Sequence, residues 1–130
     1  MKKRGVLNWE IASVIAQMGH GDMICVGDAG LPIPHEVKRI DLAVTAGTPD
    51  LLTVVRVILH ELAIEEAILA KELTKNPSYL QELQELLPTE HITYIEHEEL
   101  KTLLPRAKAV IRTGEFTPYA NVILRSGVVF

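Results

Sequence analysis

Strands alternating with helices predict an α/β fold: a single three-layer α/β/α domain over residues 1–130, with a mixed, largely buried β-sheet. Three observations carry that expectation. Apolar residues recur at helical spacing around Ile11–Met18, Leu51–Leu62 and Leu80–Leu87. Short apolar runs bounded by turn residues, such as Met23–Val26, read as buried strands. The 130 residues are 48% hydrophobic and 23% charged, enough for one folded core, and no stretch reads as a linker or repeat.

Taken in order, Asn8 is a good N-cap for a first helix carrying Ile11, Val14, Ile15 and Met18, and Gly19 stands where a helix stops. Asp22–Gly27 reads as a buried strand. It leads into Asp28–Pro34, whose two prolines forbid regular structure. Arg39–Thr45 reads as a second strand. Thr48 and Pro49 mark a helix start, as cap and first-turn residue, for a segment carrying Leu51, Leu52, Val55, Ile58, Leu59 and Leu62. Glu65–Leu73 is two-valued: its Glu, Ala, Leu and Lys content favours helix, whereas its length and the helix start at Asn76-Pro77 allow a strand. Pro77–Leu87 is a helix with Leu80, Leu83, Leu86 and Leu87 on one side. Ile92–Ile95 is a strand, and Glu98–Leu104 is a short helix ended by Pro105. Ala109–Thr113 and Asn121–Arg125 are strands flanking a loop, Gly114–Ala120.

Composition removes several function classes. Thirteen Lys and Arg against 17 Asp and Glu leave a formal charge of −4, the wrong sign for displacing counterions from nucleic acid or binding an anionic membrane. The longest apolar runs, Met23–Val26 and Ala67–Ala70, are far shorter than the roughly 20 residues of a membrane-spanning helix. Lys2, Lys3 and Arg4 precede an amphipathic segment and not the apolar core of an export signal. With a single cysteine there is no disulfide framework, and the cytoplasm is the expected compartment.

Motif tests exclude more. His60-Glu61 and His97-Glu98 begin a zinc-protease pattern, but the second histidine is replaced by Ile64 and Lys101. Gly19-His20-Gly21 lacks the later glycine of a dinucleotide fingerprint, and no phosphate-binding loop is present. Cys25, inside an apolar strand, reads as an inert thiol.

Three loops bring polar or titratable groups together. His20 sits between two glycines on a turn, and histidine suits a group that must both give and take a proton near neutral pH; the same residue can simply meet the dipole of the preceding helix. Asp28, at a strand end before a proline-stiffened loop, can present a carboxylate to a ligand or merely start a turn. Tyr119 and Asn121 join an aromatic face to hydroxyl and amide groups, which suits a polyhydroxylated ligand as well as a plain connection. His97, between a strand and a short helix, is a weaker candidate. A metal site at His20, Asp22, Asp28 and His35 is the rival reading, on residues with no spacing that defines a coordination geometry.

These residues carry a resemblance. Ala16–Asp22 with Gly27–Pro34, and Ile111–Leu124 near the other end, resemble the D-ribose pyranase family; His97–Lys101 resembles a third family segment, with Leu100 where phenylalanine is expected. The likeness runs essentially end to end. The related L-fucose mutarotases share the histidine and aspartate but differ in the proline-rich loop and around Tyr119. The resemblance implies a cytoplasmic, cofactor-free and metal-free enzyme that interconverts the pyranose and furanose forms of D-ribose, supplying the form that ribokinase uses. It also implies a homodecamer of two stacked five-membered rings. By position, His20 is the implied proton donor, and Asp28, His97, Tyr119, Ala120 and Asn121 the implied sugar contacts.

The chemistry agrees with the residues. Ring interconversion moves protons only, so it requires neither a nucleotide nor a metal motif. If Asp22–Gly27 is extended, it spans roughly 20 Å and puts His20 and Asp28 at opposite ends. The expectation is therefore a site at a subunit interface, with His20 from one chain and Asp28 from its neighbour. The alternative in another class is a non-catalytic ribose-binding or regulatory subunit of a ribose transport system, which the aspartate, tyrosine and asparagine would serve equally well. A mutarotase preferring fucose is a third reading, disfavoured by Leu31–Pro34 and Thr117–Asn121.

Overall fold

In the computed structural model, which describes residues 1–130, the Asn8 side chain accepts the Ile11 N–H and starts helix α1 (Trp9–Gln17), whose buried residues are Ile11 and Val14. Strand β1 (Met23–Gly27) follows, buried at every position. Strand β2 (Arg39–Asp41) is shorter than the Arg39–Thr45 expected. Its one sheet neighbour ends at Arg112, opposite Asp41; the Leu42 N–H still donates to the Arg112 carbonyl, but the Val44 N–H turns away to the Thr48 carbonyl.

Helix α2 (Leu51–Leu59) begins later than Thr48-Pro49 suggested. Those two residues, joined by a cis peptide, belong to a turn in which the Thr48 N–H donates to the Thr45 carbonyl. Asp50 stands at the N-cap position without a capping bond, and the Leu51 N–H is taken instead by the Glu115 carboxylate, 3.1 Å away. The two-valued segment resolves as strand β3 (Ile64–Ala70) followed by one 3-10 turn over Lys71–Lys75. Burial decides it: Ala67–Ala70 are buried, and Ala67–Leu69 lie between two neighbouring strands, where an extended chain with branched and small side chains packs well.

Asn76 caps helix α3 (Pro77–Leu86) by accepting the Tyr79 N–H, with Pro77 in the first turn. Strand β4 (Ile92–Ile95), helix α4 (His97–Leu103) and a 3-10 turn containing Pro105 lead to strand β5 (Ala109–Arg112). Strand β6 (Val122–Ser126) completes the fold.

The six strands form one sheet in the order β2-β5-β1-β6-β3-β4. Strand β6 runs antiparallel to β1 and β3, and the other pairings are parallel, so the sheet is mixed as expected. Ile24, Val26, Leu69 and Leu124 face α1, α2 and α3 through Val14, Val55 and Leu83. Cys25, Ile68, Val110 and Ile123 face the other way, under Leu100 and Leu104 of the α4 region and under Leu31 and Val37. Two covered faces make the three layers. No helix is long and apolar enough to cross a membrane. The topology also gathers the ends of β1, β3, β4 and β5 and the start of β6 at one edge, where open α/β sheets place their ligands.

Candidate functional site

At that edge β1 delivers Asp28 and β6 delivers Asn121, residues 93 positions apart that bond reciprocally. The Asp28 N–H donates to Asn121 Oδ1 at 2.9 Å, and Asn121 Nδ2 donates to Asp28 Oδ2 at 3.1 Å. Gly27 makes the approach possible: a Cβ there would lie 3.0 Å from Asn121 Oδ1 and 2.6 Å from a Leu31 methyl. The Gly30 N–H donates to the second Asp28 oxygen at 2.9 Å, an Asx turn that aims the carboxylate. Asn121 and Ala120 are fully buried.

The loop carrying Tyr119, Ala120 and Asn121 is tied to the Asp28 loop. The Ala29 N–H donates to the Glu115 carbonyl, the Arg112 guanidinium donates to the Ala29 carbonyl, and both the N–H and hydroxyl of Thr113 donate to the Gly27 carbonyl. Arg112 also meets both oxygens of Asp41 at 3.2 Å. Tyr119 takes a left-handed backbone, φ 64°, which turns its ring outward over His97; the two rings meet edge to face, 5.1 Å apart and at 77°. The His97 N–H is held by the Glu72 carboxylate at 2.8 Å. Its Nδ1 is buried without a hydrogen-bond partner. A cleft of about 390 Å³ adjoins this group, walled by Asp28, Ala29, Gly30, Arg112, Glu115 and the Phe116–Pro118 segment.

Five of the six predicted residues therefore converge, and His20 does not. It lies at the far end of β1, whose five residues span roughly 17 Å. There the turn Gly19–Asp22 is pinned, not loose. Asp22 Oδ2 accepts the Gly19 N–H at 2.8 Å, the Gly21 N–H donates to the Ser126 carbonyl, and the Ser126 hydroxyl donates to the Gly19 carbonyl. His20 Nε2 meets Glu65 Oε2 at 2.8 Å, beside a groove of about 410 Å³ that the Val128–Phe130 tail helps to line.

Burial, with the Asp28 charge adding to it, pushes the Cys25 thiol far up, so the thiol stays protonated, in line with the inert reading. No three His, Cys, Asp or Glu side chains gather in a way that could hold a metal ion; His20 and Asp22 stand at the opposite end of β1 from Asp28. Two carboxylates, Glu65 and Glu115, hold these two groups of residues in place. Both owe their place to partners distant in sequence, 45 residues for Glu65–His20 and 64 for Glu115–Leu51, which no local spacing reveals.

The family model described as the RbsD / FucU transport protein family matches residues 1–129. A D-ribose pyranase of Clostridium perfringens is 53% identical over the whole of both chains, and one of Bacillus cytotoxicus is 50% identical over the same extent. Among solved structures, Bacillus subtilis RbsD complexed with D-ribose matches with a TM-score of 0.95 at 46% identity, covering both chains fully. The fucose mutarotase of Streptococcus pneumoniae in complex with L-fucose matches with a TM-score of 0.78 at 25% identity over 95% of each chain.

Proposed function

This chain belongs to the RbsD/FucU family, and from that premise we propose that it is a D-ribose pyranase, an isomerase that interconverts the pyranose and furanose forms of D-ribose. The observation that carries the reading is the Asp28–Asn121 pair beside the Tyr119–His97 ring contact, in a chain alike from end to end to D-ribose pyranases. Ribose is favoured over fucose because the ribose-bound relative is nearer in both sequence and shape than the fucose-bound one.

The reaction follows from these groups. The anomeric hydroxyl gives up its proton, the C1–ring-oxygen bond breaks as the ring oxygen takes a proton, and a different hydroxyl of the open-chain aldehyde closes on C1. Protons balance without an oxidant or a phosphate donor. Asp28 still has lone pairs free for sugar hydroxyls, Asn121 is fixed by its partner, Tyr119 offers a face to the C–H side of the ring, and the His97 imidazole adds one polar contact. Ala120, fully buried with its N–H on the Thr117 carbonyl, leaves room. His20 supplies the proton step, because an imidazole serves as acid in one direction and base in the other.

His20 reaches a sugar held by Asp28 only from another protomer, so the complete site is proposed to combine His20 of one subunit with Asp28, His97, Tyr119, Ala120 and Asn121 of its neighbour. The assembly proposed is the homodecamer of two stacked pentameric rings, acting in the cytoplasm on ribose destined for ribokinase. A non-catalytic ribose-binding or regulatory subunit of a ribose transport system is the second reading, in keeping with a family of transport proteins. NMR saturation transfer between pyranose and furanose anomeric signals of equilibrated D-ribose separates the two. Transfer with the wild type that His20→Ala abolishes is the expected result; ribose binding with transfer no faster than in buffer would replace the pyranase with the binding subunit.

A further inference from the structure

Strand β3 carries an irregularity at its start. Ile64 stands opposite Ser126 and Glu66 opposite Arg125, so two steps along β3 match a single step along β6 and Glu65 is the extra residue. A bulge of this kind re-aims a side chain, and such bulges recur next to active sites. Here it directs the Glu65 carboxylate to His20 Nε2, 2.8 Å away.

The surroundings fix Glu65 in that role. Its carbonyl accepts the Thr89 hydroxyl at 3.1 Å. Gly127 lets the tail lie directly against it, since a Cβ at position 127 would sit 3.2 Å from the Glu65 Cβ. The other carboxylates nearby are engaged elsewhere. Glu61 accepts the Val6 N–H at 2.7 Å and meets Lys2, Asp22 holds the Gly19 N–H, and Glu66 pairs with Arg125. Glu65 is the carboxylate left for the histidine.

Resting on the pyranase reading, we propose that Glu65 is a positioning residue for the proton step. An ionised carboxylate only accepts hydrogen bonds, so the nitrogen facing it must carry hydrogen. In the neutral ring the proton is thereby held on Nε2, and Nδ1, which makes no hydrogen bond within the chain, is the nitrogen that exchanges protons with the sugar. Glu65 also holds the ring plane at a fixed angle on the pinned Gly19–Asp22 turn.

Glu65→Gln tests this, because glutamine keeps the shape but can donate as well as accept and so permits the other tautomer. An exposed ion pair adds little to folding stability, so the variant retains its fold, as an unchanged circular dichroism spectrum will verify. The expected result is a kcat for ring exchange lower by on the order of 10–100-fold, as for other histidine-orienting partners, with KM for ribose within about twofold of wild type. The imidazole nitrogen spectrum of ribose-free protein should show hydrogen on Nε2 in the wild type and a tautomer mixture in the variant. A variant kcat within about twofold of wild type, or a wild-type His20 protonated on Nδ1 when neutral, would overturn the assignment. Failure of the pyranase reading shows separately, as absent exchange in the wild type, and the nitrogen spectrum then still judges the Glu65–His20 pairing without any substrate.

Discussion

The Glu115 carboxylate makes four hydrogen bonds: Oε1 accepts the Leu51 N–H and the Tyr79 hydroxyl, and Oε2 accepts the Thr117 N–H and hydroxyl. One residue thus fastens the loop that ends in Tyr119, Ala120 and Asn121 to the starts of α2 and α3. Burial first, and then the Glu115 charge, push the Tyr79 hydroxyl well above the usual tyrosine range. The native state therefore keeps a proton that the unfolded chain releases above about pH 10. Where the unfolded state binds fewer protons, stability falls as pH rises; the contribution of Tyr79 is complete below pH 10 and is lost progressively above it. Tyr79→Phe should cost about 1–2 kcal/mol at neutral pH, by removing a hydrogen bond to a charged group. Above pH 10 its stability should decline less steeply than that of wild type, by up to about 1.4 kcal/mol per pH unit. Urea unfolding of both proteins at pH 8 and pH 10.5 measures the difference, and parallel declines would refute the linkage. At this scale the sequence was partly legible. The residue types of Tyr119 and Asn121 suggested a polyhydroxylated ligand and Asp28 a carboxylate for one, but the bond between Asp28 and Asn121 joins β1 to β6, and Glu65 owes its aim to a bulge that exists only once β3 pairs with β6.

Helix α4 has only seven residues, too few to be stable by itself, and its place depends on the sheet beneath it. Leu100, fully buried with Leu104 against Cys25, Ile68, Val110 and Ile123, is its anchor. Leu100→Ala should destabilise the protein by about 2–5 kcal/mol, depending on how far the space can collapse. Because His97 is the first residue of α4, the same substitution should loosen the His97–Tyr119 contact and raise KM for ribose before the protein unfolds. Urea midpoints and ring-exchange kinetics read the two effects; an unchanged KM in a destabilised variant would show that His97 is held by its Glu72 bond alone. Elements whose signals are local were readable from the chain: Asn8 and Asn76 cap the helices they were expected to cap or start, and β4 has the bounds its apolar run implied. Those whose limits are set elsewhere were not. Strand β2 stops because β5 stops, and α2 begins where Glu115 can receive its first N–H.

At the scale of the whole molecule, the length of one strand decides how the proposed site would be built. Strand β1 is buried along its length and paired on both sides, so it cannot fold back to bring His20 to Asp28. That separation was readable from the apolar run Met23–Val26, since an extended segment has a fixed rise per residue. Exposed apolar side chains flank both groups of residues, Phe116 beside Asp28 and Phe130 beside His20, as expected if another copy covers these surfaces. In a closed ring each interface repeats the same pairing, so every His20 would meet a neighbouring Asp28. His20→Ala and Asp28→Ala are therefore each expected to be inactive alone, for different reasons. When the two are unfolded together in equal amounts and reassembled at random, an interface is complete only if it draws its His20 from one variant and its Asp28 from the other. Each draw succeeds half the time, so about a quarter of wild-type activity should return. Native mass spectrometry establishes that mixed assemblies have formed, and saturation transfer on ribose reads the activity. Mixed assemblies with no regained exchange would mean that no interface joins the two residues, and the proton step would have to be sought among the groups around Asp28 itself.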